Sequence, residues 1–166
     1  VECSSSQLEH IRSWQKWHTV HAEPEDHSAD GIALFSMHPI RSVKITRTPD
    51  AGLDHLTAVI DAPGGTFQVE LTHPCPPVPG WLHQRQAELN QITTAATSSN
   101  WPVVVLGDLN ETPYGASWRR LLKTSGLSED QQGFARGITE SMISTFSRYT
   151  GIRVLSSSTS FHVAEN

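Results

Sequence analysis

The stretch Val103-Val104-Val105-Leu106-Gly107-Asp108-Leu109-Asn110-Glu111-Thr112-Pro113 decides how this chain is read. Its apolar opening, rich in β-branched residues, predicts a buried strand over 103–106. The run then breaks into Gly-Asp-Leu-Asn and a Thr-Pro turn. Asp108 and Asn110 stand two residues apart, and on an extended backbone that spacing turns both side chains to one side. A carboxylate and a carboxamide then converge at the mouth of a rigid element, which suits a hydrated metal or a phosphate. A plain turn would use the same residues, because Asp and Asn side chains bond nearby backbone groups where strands end. Spacing alone does not separate the two readings; the rest of the chain does.

Two more stretches bear on the choice. Gly31-Ile32-Ala33-Leu34-Phe35-Ser36-Met37-His38-Pro39-Ile40 opens as a strand, and Val69-Glu70-Leu71-Thr72-His73-Pro74 ends one. Taken in order with Gly-Asp-Leu-Asn and Thr-Pro, they resemble the motifs of the endonuclease/exonuclease/phosphatase superfamily, the deoxyribonuclease I-like fold. The first is similar to that family's G-(I/V)-A-(L/I)-(L/F)-S-x-x-P-(I/L) strand. The second resembles the strand end that carries its active-site histidine. Val1-Glu2 is similar to the tail of its Q-E-V strand, whose Glu binds the metal. Ser117 to Leu127 resembles its S-x-x-x-x-L-L-x-x-x-G-L helix, and the likeness runs to about Gly137.

The resemblance implies an α/β (α+β) fold: two mostly antiparallel sheets face to face, flanked by helices in four layers. It implies one domain over residues 1–166. It also implies an enzyme that hydrolyses a phosphoester by in-line attack of water, assisted by Mg²⁺ or Mn²⁺. Such an ion neutralises phosphate charge and stabilises the leaving oxygen. By the same resemblance, Glu2 and Asp108 ligate the metal. Asp108 also positions the attacking water, Asn110 binds the scissile phosphate and His73 donates to a phosphate oxygen. The substrate stays open among nucleic acid, a phospholipid head group and a small phosphate ester, since fold does not select among them. Bacterial relatives of this type resemble membrane-anchored proteins with an exported catalytic domain.

The chain also departs from the family. Its Asp-His and final Ser-Asp-His motifs have no counterpart: Gly151-Ile152-Arg153-Val154-Leu155-Ser156-Ser157 carries no acid where the first should fall. The opening at Val1-Glu2 reads as the middle of a strand. The chain is therefore expected to be a truncated domain with weak Mg²⁺ binding and little turnover on its own. The alternative is a degenerate member acting as a non-catalytic binding domain.

Composition narrows the partners. The 166 residues are 37% hydrophobic, enough for one sizeable core. The formal net charge is −5, and no Lys/Arg cluster advertises strong polyanion binding. The densest basic spots are Arg41 to Arg47 and the group Arg119, Arg120 and Lys123. No apolar run approaches membrane-span length. Cys3 and Cys75 could form a disulfide or remain two buried thiols.

The remaining pattern places these motifs on elements. Ser4 or Ser6 can cap a first helix whose stripe is Leu8, Ile11 and Trp14. Residues 18–30 read as a polar loop with room for one short strand. Strand-like runs follow near 31–37, 41–48, 55–62 and 66–73, in the order of an antiparallel meander. Trp81 to Ser98 reads as a helix with Trp81, Leu82, Leu89, Ile92 and Ala96 near one face. Ala116 to Ser125 reads as a second, stopped by Gly126. Short strands are plausible near 144–148, 152–155 and 160–164. Asp54-His55 resembles an acid–base dyad, but adjacent strand residues face opposite ways. His10, His18, His21 and His27 read as solvated. Trp81, Arg85 and Trp118 read as core or edge residues rather than a base-stacking platform.

Overall fold

In the computed structural model, the structure describes residues 19–23, 32–47, 54–111 and 114–128. The chain enters through β1 (Thr19–Glu23) and β2 (Ile32–Ser36), which pair antiparallel. A second sheet has the order β3 (Ile40–Arg47), β4 (Asp54–Ala62), β5 (Gly65–Thr72) and β6 (Val103–Leu106). Between β5 and β6 runs α1 (Leu82–Ser98), and α2 (Ala116–Ser125) follows β6.

Side-chain alternation sorts the second sheet into two faces. Leu56, Ala58, Ile60, Phe67, Val69, Leu71, Val104 and Leu106 pack on one side against Ile32 and Leu34 of β2. On the other side Val103 and Val105 pack against Leu89, Ile92 and Ala96 of α1 and Trp118 and Leu121 of α2. The described residues thus form a sheet, a second sheet and a helical layer. β2 is buried along its whole length, which is why its sequence reads as a continuous apolar run rather than an alternation.

The meander holds for β3, β4 and β5, which pair antiparallel in sequence order. It does not extend to β2, which pairs with β1 instead. Sequence order suggested otherwise because the break at Pro39 looks like any hairpin turn. β5 and β6 are parallel, and a parallel pair needs a crossover, here supplied by α1. The predicted first helix, the strands beyond residue 131, Glu2 and Cys3 lie outside the described residues.

Candidate active site

Because β5 and β6 run parallel, their C-terminal ends open at the same edge of the sheet. Leu71 is in register with Leu106. His73 therefore leaves β5 beside the Gly107 to Asn110 segment leaving β6. The join is tight. Gly107 has φ 133°, and a Cβ there would lie 1.8 Å from the carbonyl oxygen of Thr72. Only glycine lets the two strand ends approach so closely.

Asp108 and Asn110 converge, but through a turn rather than an extended backbone. The Asn110 N–H donates to Asp108 Oδ1 at 2.8 Å, and Asn110 has φ 47°. Asn tolerates this left-handed conformation better than most residues. The turn is therefore present, and through it the two side chains still converge. The turn aims the Asn110 carboxamide at the end of β5. Its Nδ2 donates to Pro74 O at 3.0 Å and contacts His73 Nε2 at 3.0 Å. A carbonyl can only accept, so Nδ2 rather than Oδ1 must face Pro74. His73 Nε2 consequently acts as the acceptor from Asn110, which puts the proton of a neutral His73 on Nδ1.

Behind this contact sits a bracket that the sequence did not reveal. Arg85 and Glu88 lie on the buried face of α1 together with Leu89, Ile92 and Ala96. Arg85 Nη1 donates to Cys75 O at 2.6 Å, and its Nη2 pairs with Glu111 Oε2 at 2.8 Å. Glu88 Oε2 accepts the Cys75 N–H at 2.7 Å, and its Oε1 accepts the Cys75 thiol at 3.7 Å. One helix thus fastens the loop after His73 to the residue after Asn110. Trp81 and Leu82, expected near the buried face, are exposed instead. The available cue was a pair of charges at i, i+3 within an apolar stripe, which demands buried partners.

Burial pushes the Cys75 thiol up to about 11, with the Glu88 carboxylate adding to the rise. Burial likewise raises Glu88, partly offset by the hydrogen bonds from Cys75 and by the nearby Arg85 charge. Cys75 is a free, buried thiol. It serves structure rather than nucleophilic chemistry, since a thiol held protonated is inert.

The expected metal site is only partly represented. Asp108 offers a hard oxygen donor, and Mg²⁺ needs only one or two protein carboxylates with water and substrate phosphate. Among the described residues no group of three His, Cys, Asp or Glu side chains could hold a metal ion. Glu111 is committed to Arg85. Asp108 is thus the expected metal-binding carboxylate that the described residues contain, and Glu2 lies outside them.

Comparison with solved structures places the fold. The chain is similar to D. rerio TDP2 complexed with single strand DNA product, at TM-score 0.66 and 12% identity over 99% of this chain and 66% of that one. It is similar to sphingomyelinase C from Streptomyces griseocarneus, at 0.57 and 20% identity over 86% and 53%. The human Nocturnin catalytic domain with bound sulfate anion matches at 0.54 and 20% identity over 76% and 54%. At such identities the likeness is one of fold, and the chain spans about half the length of the latter two. No curated protein matches the sequence. The model of the Endonuclease/Exonuclease/phosphatase family matches residues 1–157, and the chain belongs to that family.

Proposed function

We propose that this chain carries the phosphate-binding and water-positioning half of a divalent-metal-dependent phosphoester hydrolase. The family's named activities all cleave phosphoesters. The observation that carries the reading is the contact between Asn110 and His73. The two residues are 37 positions apart in sequence, yet their side chains meet at the shared mouth of β5 and β6 beside Asp108.

The roles follow from the hydrogen bonds. Asp108 uses Oδ1 for its turn, which leaves Oδ2 to orient an attacking water or to meet a cation. A bound Mg²⁺ or Mn²⁺, held by Asp108 and Glu2, would neutralise phosphate charge. Asn110 divides its amide hydrogens between Pro74 O and His73 Nε2. If Nε2 gains a proton, the ring becomes a donor and can no longer accept from Asn110. Two donors are then released toward one point, as a non-bridging phosphate oxygen requires when charge builds on it. Arg85 and Glu88 act only by position, holding both loops in register.

Neither fold nor charge selects the substrate, so the test is a panel. Hydrolysis of a single-stranded DNA oligonucleotide, a sphingomyelin vesicle and p-nitrophenyl phosphate is measured with Mg²⁺ and with Mn²⁺. We expect metal-stimulated turnover of at least one, lowered about 100-fold or more by Asn110→Ala. Turnover that is indifferent to metal and to Asn110→Ala would remove the proposal.

A further inference from the structure

On the helix face of the second sheet, away from the His73 mouth residues, a groove of about 480 Å³ separates β3, β4 and β5 from α1. Lys44, Thr46 and His55 border it from the sheet; Asn90, Thr94 and Ser98 border it from the helix. Among the described residues, no carboxylate lines it directly. Lys44 has no ion-pair partner among the described residues.

The floor of the groove is a closed polar network. Glu70 is fully buried, and its carboxylate accepts from Thr57 Oγ1 at 2.8 Å and from Gln68 Nε2 at 2.6 Å. Gln68 is held in that orientation by Ser99, whose hydroxyl donates to Oε1 at 3.0 Å. The same Glu70 carboxylate is paired with His55 Nε2. A carboxylate already taking two donors is an acceptor toward the ring as well, so Nε2 carries a proton. His55 is only 5% exposed, and its Nδ1 has no hydrogen-bond partner. A buried, unpartnered ring nitrogen costs stability unless something meets it.

We propose that this groove is a second site that binds a small oxyanion, a phosphate group in chemical class. An oxyanion supplies acceptors for the donors that border the groove. The Lys44 ammonium, the Asn90 amide and the Thr46 hydroxyl can all donate. His55 completes the set by taking a proton on Nδ1. The resulting imidazolium is stabilised on one side by Glu70 and on the other by the anion. Among the described residues, the titratable and charged groups facing the ring are Glu70 of β5 and Lys44 of β3; the groove residues of α1 are uncharged. A neutral ligand would gain nothing from Lys44 and would leave the Glu70 charge without a counter-ion. His73, Asp108 and Asn110 do not line the groove, although His55 pairs across the ladder with Thr72, the neighbour of His73.

The test is an NMR titration of the 166-residue chain with inorganic phosphate and, in parallel, with glycerol 3-phosphate. Amide and imidazole ¹⁵N shifts are followed. We expect saturable shifts at Lys44, Thr46, His55 and Thr94, with the His55 imidazole ¹⁵N signals moving as phosphate binds. Lys44→Met should weaken binding at least about tenfold. Lys44 is exposed, so this variant leaves the core intact, whereas His55→Gln would disturb the Glu70 network. Tighter binding of glycerol 3-phosphate would assign the site to an esterified phosphate; equal or weaker binding would assign it to the free ion. Shifts confined to His73 and Asn110, no shifts at all, or equal affinity in Lys44→Met would overturn the proposal.

Discussion

Gly107 shows how much one residue carries. Its place in Gly-Asp-Leu-Asn follows from geometry: the Thr72 carbonyl occupies the space where any side chain would start. Gly107→Ala is expected to cost on the order of 3 kcal/mol, combining strain at positive φ with a backbone clash. Urea unfolding measures this, and a loss under about 1 kcal/mol would mean that the strand ends separate easily. Cys75 and Glu88 make a second prediction at this scale. Both bind protons more tightly when folded than their ordinary values imply. Their contribution to stability is therefore present at low pH and is lost as pH rises through the folded values. For Cys75 the window runs from 9.0 to about 11. Stability should decline across that window, and Cys75→Ala should flatten the decline. An identical slope in both proteins would rule out the thiol as its cause. The residues of the mouth were legible because Asp, Asn, His and Gly occur in a recognisable order. The Asn110 turn geometry was not, since alternation on a strand and an Asp-anchored turn place the same residues together.

Secondary elements were the most legible part of the chain. β6 and α2 fall on Val103–Leu106 and Ala116–Ser125, as the sequence predicts, and Gly126 ends α2 in the left-handed conformation. What periodicity missed is what α1 does. Apolar counting favoured Trp81 and Leu82, yet the helix buries Arg85 and Glu88 because strand-end backbone groups must be satisfied where the helix begins. The pairing choice of β2 was likewise hidden, because strand patterns carry no information about which sheet they join. The Arg85–Glu111 pair is nearly buried, at 3% and 10% side-chain exposure. Removing Arg85 alone takes away the guanidinium paired with Glu111 and the donor to Cys75 O, so Arg85→Met should cost about 3–5 kcal/mol. Adding Glu111→Leu should recover part of that loss. Denaturant unfolding of both single variants and the double variant closes the cycle. Strictly additive costs would show that the pair does not couple α1 to the loop.

At the scale of the whole molecule, topology builds the candidate site. Two parallel strands joined through α1 end at one edge, so loops far apart in sequence deliver His73, Asp108 and Asn110 to one place. The α1 and α2 helices pack on one face of the strands and β2 packs on the other. We propose that this mouth hydrolyses phosphoesters, with Asp108 as its indispensable carboxylate. The most direct measurement is kcat/KM for bis-p-nitrophenyl phosphate with Mg²⁺ and Mn²⁺, for the native chain and Asp108→Ala at matched circular dichroism. We expect slow, metal-stimulated turnover that falls by about 100-fold or more in Asp108→Ala. Turnover that survives Asp108→Ala, or none above the metal-only background in the native chain, would contradict it.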